Sequence, residues 1–188
     1  MLNNRLIEFV SCTMNNVMNN VILSGLFLLL LVACNRGLSP STSDNAPQNV
    51  TQVNTDMIKR IEKTEAQWLA ELGPERYAIL RQCSTEPPFT GKYWNHHEKG
   101  SYHCAGCGAQ LFSSDTKYDS GSGWPSFFAA VDKKQIKELP DTSYGMYRTE
   151  IKCAGCDGHL GHVFTDGPRP TGLRYCVNSA SIEFRAAP

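Results

Sequence analysis

Two nearly identical short motifs place four cysteines in matching pairs. Cys-Ala-Gly-Cys occurs from Cys104 to Cys107 and again from Cys153 to Cys156, and a glycine follows shortly after each copy. Two residues between cysteines allow both sulfurs to face one metal ion. Two such pairs complete a tetrahedral set of four thiolates. The spacing therefore predicts a structural zinc site that has no open coordination position for catalysis.

Other interpretations of these cysteine pairs remain open. Each pair could be a disulfide in an exported protein, and iron could take the same four ligands. An exported zinc-binding thiol-disulfide oxidoreductase would use one pair for redox chemistry, although the thioredoxin-type βαβ pattern is missing. A zinc ribbon that binds nucleic acid should be basic, whereas Lys+Arg and Asp+Glu both number 18. We therefore expect no nucleic-acid partner.

A separate cysteine, Cys176, lies in a segment with the alternation of a strand. Arg174, Cys176 and Asn178 fall on one face, and the apolar residues between them fall on the other. A neighbouring cation lowers the pKa of a thiol from its free value of about 8.5. The pattern therefore predicts that Cys176 is an activated nucleophile, since a buried structural cysteine would have apolar neighbours.

A glycine-rich segment before this strand supplies two histidines and a carboxylate. His159 and His162 are three residues apart, and Asp166 follows them. This spacing places the histidines on opposite faces of a regular strand, so both could serve one site only if Gly161 marks a bulge. In that arrangement they would perform acid–base work near Cys176. Surface histidines and metal ligands are the alternatives.

The elements that must position these residues begin with helices. Thr64 and Gln67 fit a capping box, Gly73 ends the first helix, and Pro74 suits the first turn of a second one. Short alternating segments separated by glycines follow, which predicts a domain made mainly of antiparallel strands. We expect these strands at residues 100–104, 149–153, 159–164, 173–178 and 181–185.

The beginning of the chain has the pattern of an export signal. An apolar run at residues 21–32 is too short to span a bilayer and ends just before Cys34. This resembles the lipobox of bacterial lipoproteins, in which the cysteine carries the lipid, although a buried core helix would also fit such a run. We expect a signal peptide over 1–33, a disordered tether over 34–55 and a folded domain over 56–188.

The residue after Cys34 is Asn35 rather than an aspartate. This resembles the pattern that sends bacterial lipoproteins to the outer membrane. We therefore expect a periplasmic protein that is attached to the outer membrane through a lipid on Cys34.

Four motifs together carry a resemblance to one family. They are the doubled Cys-Ala-Gly-Cys, Ser-Gly-Trp-Pro-Ser-Phe at 122–127, Gly-His-Leu-Gly-His-Val-Phe at 158–164 and Arg-Tyr-Cys-Val-Asn-Ser-Ala-Ser at 174–181. In type and order they resemble the motifs of B-type methionine-R-sulfoxide reductases, over about 64–184. The resemblance implies two antiparallel sheets with short N-terminal helices and a structural zinc opposite the active site. It also implies repair of proteins by reduction of the R epimer of methionine sulfoxide.

The resemblance also implies roles for individual residues. Cys176 would attack the sulfoxide sulfur, release methionine and become a sulfenic acid. His162 would be the proton donor, while His159 and Asn178 would bind and polarise the sulfoxide. Arg174 would stabilise the thiolate.

Further residues take roles through the same resemblance. Asp166 would orient a histidine, and Trp124 would pack against the substrate methyl group, a structural core tryptophan being the alternative. Many members of the family have a resolving cysteine where this chain has Ser122. We therefore expect a disulfide between Cys83 and Cys176 after turnover, which a thioredoxin-like partner reduces. The enzyme is expected to act on oxidised proteins or peptides as a monomer.

Overall fold

The computed structural model describes residues 60–188. The predicted signal peptide, the predicted tether with Cys34 and the first residues of the predicted domain lie outside the described residues. Among the described residues, no helix is both long enough and apolar enough to cross a membrane.

The described chain begins with a kinked helix, α1, at Glu65–Gln82. The backbone nitrogen of Gln67 donates to Oγ1 of Thr64 at 3.3 Å, and that of Thr64 donates to Oε1 of Gln67 at 2.8 Å. Gly73 has a φ of 72° and interrupts the helical geometry, so α1 consists of two helical segments. The capping box and the break at Gly73 are both confirmed.

Three strands form the smaller sheet. They are β1 (Gly100–Cys104), β2 (Gln110–Ser113) and β9 (Ile182–Ala186). The order is β2-β1-β9, and both pairings are antiparallel.

Six strands form the larger sheet, in the order β3-β4-β8-β7-β6-β5. All its pairings are antiparallel. The strands are β3 (Lys117–Tyr118), β4 (Ser126–Phe127), β5 (Ile136–Asp141), β6 (Arg148–Cys153), β7 (His159–Phe164) and β8 (Arg174–Val177).

The predicted class, mainly β with two antiparallel sheets, is confirmed. The ends of the five predicted strands agree with β1, β6, β7, β8 and β9 within one residue. Strands β2 to β5 were not predicted. Two of them contain only two residues, and β5 contains Pro140, which normally argues against a strand.

Aromatic side chains fill the space between the two sheets. Phe112 of β2 stacks on Phe127 of β4 with ring centroids 4.4 Å apart, and Tyr175 of β8 lies 5.7 Å from Phe112. All three side chains are buried. Because side chains alternate along a strand, Arg174 and Cys176 of β8 point away from this core. The face that carries the candidate nucleophile is therefore the one predicted.

Candidate active site

A bulge in β7 brings the two histidines together. Gly161 pairs with Ile151 of β6, but the next pair joins Lys152 to His159, so β7 contains one extra residue at this point. The ring centroids of His159 and His162 are 5.7 Å apart. The irregularity on which the shared histidine site depended is therefore present.

Only glycine fits at the centre of this bulge. Gly161 has a φ of 150°, and a Cβ atom there would lie 2.1 Å from the carbonyl oxygen of Cys176. Real Cβ atoms do not approach this closely, so a side chain would force the two backbones apart. The bulge thus also sets the position of the strand that carries Cys176.

Strand register places four polar residues in one row across the larger sheet. Glu150 pairs with His162, His162 with Cys176, and Cys176 with Ser126. Directly opposed residues point to the same face, with Cβ atoms about 5 Å apart. The row therefore places an acid, an imidazole, a thiol and a hydroxyl side by side on the face away from the aromatic core.

Each histidine has its own carboxylate. His162 Nε2 lies 2.7 Å from Oδ2 of Asp141, which also accepts a 2.6 Å hydrogen bond from Nη2 of Arg148. His159 Nδ1 lies 2.7 Å from Oε1 of Glu150. No motif in the sequence indicated either carboxylate, because Glu150 and Asp141 lie on other strands and reach the histidines only through strand pairing.

Asp166 has a different partner from the one expected. Its two carboxylate oxygens accept hydrogen bonds from Nε and Nη2 of Arg174, each 2.8 Å long. The pairing of Phe164 with Arg174 places Asp166, two residues beyond the end of β7, beside the first residue of β8. This corrects the expectation that Asp166 orients a histidine.

The Cys176 thiol is free and partly buried. Its sulfur lies 3.8 Å from Oγ of Ser122, which in turn accepts a 2.8 Å hydrogen bond from Ser120. Burial raises the pKa of Cys176, and the opposing effects of Ser122 and Arg174 only partly offset it. The pKa is therefore above its ordinary value, not below it as expected from the arginine alone, because desolvation outweighs the cation.

The imidazole of His162 is uncharged at neutral pH. Burial lowers the pKa of His162 below its ordinary value of 6.5, although the hydrogen bond with Asp141 acts in the opposite direction. At neutral pH the site therefore contains a protonated thiol and a neutral imidazole on directly paired residues.

Two predicted substrate-binding residues contact the chain at Glu86. The indole nitrogen of Trp124 donates to the Glu86 carbonyl oxygen at 3.0 Å. Asn178 is 2 % exposed; its Oδ1 accepts from the Glu86 nitrogen at 3.1 Å, and its Nδ2 donates to the Leu160 carbonyl at 3.2 Å. Both atoms of the Asn178 amide group are thus bonded to backbone. Glu86, which sequence analysis did not identify, connects this tryptophan and asparagine.

Cys83 lies at the Glu150 end of the polar row. It caps α1 in a left-handed conformation, and its sulfur is 3.6 Å from Oε1 of Glu150. Glu150 is two strands from Cys176, which corresponds to about 10 Å. A Cys83–Cys176 disulfide therefore requires movement. The Cys83 sulfur is engaged in a disulfide in this structure, so a cycle that uses its thiol begins with reduction.

The turns β1–β2 and β6–β7 bring the four paired cysteines together as a four-cysteine cluster. The Cys104 and Cys156 sulfurs are 3.6 Å apart, and those of Cys107 and Cys153 are 3.4 Å apart. All four are free and lie within 4.8 Å of one another. Disulfide sulfurs would be about 2 Å apart. Thiolates bound tetrahedrally at about 2.3 Å from the ion would be about 3.8 Å apart, so the cluster fits one divalent ion.

A glycine in each turn makes room for a sulfur of the other turn. A Cβ atom at Gly155 would lie 3.3 Å from the Cys107 sulfur, and one at Gly106 would lie 3.4 Å from the Cys156 sulfur. Because one turn belongs to each sheet, the cluster lies at the junction of the two sheets.

A known protein-family model matches this chain. Residues 72–186, most of the described chain, match the SelR domain. The chain belongs to the SelR-domain family of B-type methionine-R-sulfoxide reductases.

This family member matches several bacterial relatives over nearly their whole length, and each of them is called peptide methionine sulfoxide reductase MsrB. The protein of Thiobacillus denitrificans is 62 % identical over 122 residues, 65 % of this chain and 92 % of its own. That of Herminiimonas arsenicoxydans is 55 % identical over 132 residues, 70 % and 96 % of the two chains. That of Acinetobacter baumannii is 59 % identical over 126 residues, 67 % and 91 %.

The close backbone approach at Gly161 in the β7 bulge can be tested by substitution. Gly161→Ala should lower the free energy of unfolding by about 3 kcal/mol, because the new methyl group meets the Cys176 carbonyl. Gly145→Ala is the matched control, since Gly145 also has a positive φ but its Cβ would meet nothing within 4 Å. It should cost only about 1 kcal/mol. Urea unfolding measures both changes, and equal losses would contradict the close approach.

Proposed function

We propose that this enzyme reduces the R epimer of methionine sulfoxide in oxidised proteins, with Cys176 as the nucleophile. Family membership supports sulfoxide reduction as the reaction. The observation that carries the assignment to Cys176 is its place in the polar row. It is a free thiol directly paired with His162 on the face away from the core.

The first step needs no proton from outside the site, because the thiol of Cys176 supplies the one that the sulfoxide oxygen takes up. The Cys176 sulfur attacks the sulfoxide sulfur while His162 takes the thiol proton and passes it to the sulfoxide oxygen. The oxygen moves to Cys176, which is oxidised to a sulfenic acid, and the sulfoxide is reduced to methionine. At rest the thiol carries the proton and the imidazole does not, so one proton is present to be transferred.

Neighbouring groups support the reacting atoms. Arg174 stabilises the thiolate as it forms, and Asp166 holds the guanidinium in place. His159 Nδ1 donates to the ionised Glu150, and Nε2 is a buried nitrogen without a hydrogen-bond partner among the described residues, so Nε2 can donate to the sulfoxide oxygen when the ring carries both protons. The indole ring of Trp124 packs against the substrate methyl group. Asn178 contributes by holding the backbone at Glu86.

The second step regenerates the nucleophile. In the reduced enzyme, the Cys83 thiol attacks the Cys176 sulfenic acid, which forms a disulfide and releases water. A thioredoxin-like dithiol then reduces this disulfide by exchange. Because Cys83 contacts the far end of the polar row, the end of α1 must move toward Cys176 in this step.

We propose that the four-cysteine cluster holds a structural zinc ion. Cys104, Cys107, Cys153 and Cys156 would be its ligands, and four thiolates leave no open coordination position, so the ion would stabilise the junction of the sheets. The closest sulfur contacts join one turn to the other, which favours a shared ion over a redox pair within one turn.

We also propose a location for the enzyme. A lipid on Cys34 would attach it to the periplasmic side of the outer membrane as a monomer, supported by the apolar run and the lipobox-like residues before Cys34. Fatty-acid labelling of the full chain in a bacterial host should mark the wild type and not Cys34→Ser. Equal labelling of both would refute the anchor.

Metal content tests the zinc proposal. Purified protein should contain about one zinc per chain, and Cys107→Ala should lose it together with several kcal/mol of stability, since three ligands bind the ion less tightly. Cys176→Ala removes a thiol outside the cluster and should keep its zinc. Plasma mass spectrometry gives the content. A metal-free wild type, or full zinc in the Cys107 variant, would be the contrary result.

Turnover with separated epimers tests the proposed reaction. Wild type with a thioredoxin system should convert a peptide that contains the R epimer and leave the S epimer unchanged. Cys176→Ser should form no methionine above background, because serine cannot form the sulfenic acid. Chromatography of the peptide products measures the result.

The same assay tests the role of Cys83. Cys83→Ser should release one methionine per chain and then stop with thioredoxin as reductant, since the sulfenic acid is no longer resolved. Repeated turnover by this variant, with no disulfide trapped in the wild type, would show that Cys83 does not have this role.

A further inference from the structure

Asp141 is held rigidly within the hairpin formed by β5 and β6. It is the last residue of β5 and pairs with Arg148, the first residue of β6. Its Oδ1 accepts a 2.9 Å hydrogen bond from the backbone nitrogen of Ser143, and its Oδ2 accepts one from Arg148, whose Nη2 also donates to Oγ of Ser143 at 3.1 Å. Both oxygens are thus fixed by neighbours in the same hairpin.

The Asp141 carboxyl group is ionised at neutral pH. Burial raises its pKa, but hydrogen bonds from Ser143 and His162 and the charge of Arg148 outweigh burial and lower the pKa below its ordinary value. An ionised carboxylate can only accept hydrogen bonds. The 2.7 Å contact with Nε2 of His162 therefore requires that this nitrogen carry the proton.

The tautomer of His162 decides which atom can act on the thiol. In a neutral imidazole one nitrogen donates and the other accepts. With the proton held on Nε2 by Asp141, Nδ1 keeps the lone pair. Because His162 is directly paired with Cys176, Nδ1 is the nitrogen available to take the thiol proton.

We propose that Asp141 is a positioning residue, which acts through His162 to complete a thiol–imidazole–carboxylate relay with Cys176. This inference rests on the proposed function. The proton moves from the Cys176 sulfur to His162 Nδ1 and then to the sulfoxide oxygen. Asp141 itself stays ionised, and its charge stabilises the imidazolium that forms between these two transfers.

The other carboxylates near the site have different partners. Glu150 contacts His159 and lies 3.6 Å from Nζ of the buried Lys152, and Asp166 binds Arg174. The titratable and charged groups that face His162 come from four strands, β5 to β8. They are Asp141, Arg148, Glu150, His159 and Cys176.

The pH dependence of methionine release separates positioning from a structural role. Protonated His162 cannot accept the thiol proton, so the wild-type rate should fall as the pH falls through the pKa of His162. Asp141 raises that pKa and Arg148 lowers it. Asp141→Asn should therefore move the acid limb to lower pH, and Arg148→Gln should move it to higher pH.

The experiment is single-turnover release of methionine from an R-epimer peptide by the full chain between about pH 5 and pH 9. Asp141→Asn should lower the maximal single-turnover rate constant about 100-fold with little change in the half-saturating peptide concentration, because a tautomer with the proton on Nδ1 cannot accept the thiol proton. Asp141→Glu should restore part of the rate and of the acid limb. Asp115→Asn, which removes an exposed carboxylate bonded to Lys99, is the matched control and should behave as wild type.

Two failures can be told apart. If the wild type does not convert the R epimer, the proposed function itself fails. If the wild type converts it but Asp141→Asn keeps the wild-type single-turnover rate constant, or loses rate with no displacement of the acid limb, only the positioning role is overturned. Should Asp141→Asn not fold, an acid limb of Arg148→Gln at or below the wild-type position also overturns the positioning role.

Discussion

Strands β7 and β8 pair along their length, and the geometry of the active site depends on how closely their backbones approach at Gly161. Gly161 approaches the Cys176 carbonyl so closely that no Cβ atom fits between them. The extra residue at this bulge brings His159 to the side of the sheet where His162 already lies beside Cys176. A regular strand would put one imidazole into the opposite face. The bulge in β7 therefore brings the reactive groups together. The lack of a side chain at Gly161 allows β7 and β8 to pack closely enough to keep them there.

The four-cysteine cluster supports this arrangement from nearby. One of its turns connects β6 to β7, so Cys156 precedes His159 by only three residues, and the other turn belongs to the smaller sheet. A metal ion shared by the two turns would restrict how far the two sheets can shift, and hence how far the bulge can move. Among the described residues the cysteines thus fall into three groups: the four of the cluster, Cys176 on the face away from the core, and Cys83 at the end of α1.

Burial sets the electrostatic character of the site. It raises the pKa of the Cys176 thiol and lowers that of the His162 imidazole, so both groups are uncharged at rest in neutral solution. Two carboxylates then act on the histidines from strands on one side, and Arg174 acts on the thiol from its own strand. This arrangement suits a reaction in which one proton passes from sulfur to oxygen, since charge develops only when substrate is present.

Local patterns in the sequence were sufficient for the capping box, five strands, the outward face of Cys176 and the set of four cysteines, because each depends on residues close together in the chain. The partners of the histidines depend on the register between separate strands, which no local pattern contains. Asp141 lies 21 residues from His162 and reaches it only because β5, β6 and β7 pair in sequence, whereas the nearer Asp166 binds Arg174. The direction of the Cys176 pKa shift was likewise decided by the tertiary structure, because desolvation depends on everything packed around the sulfur.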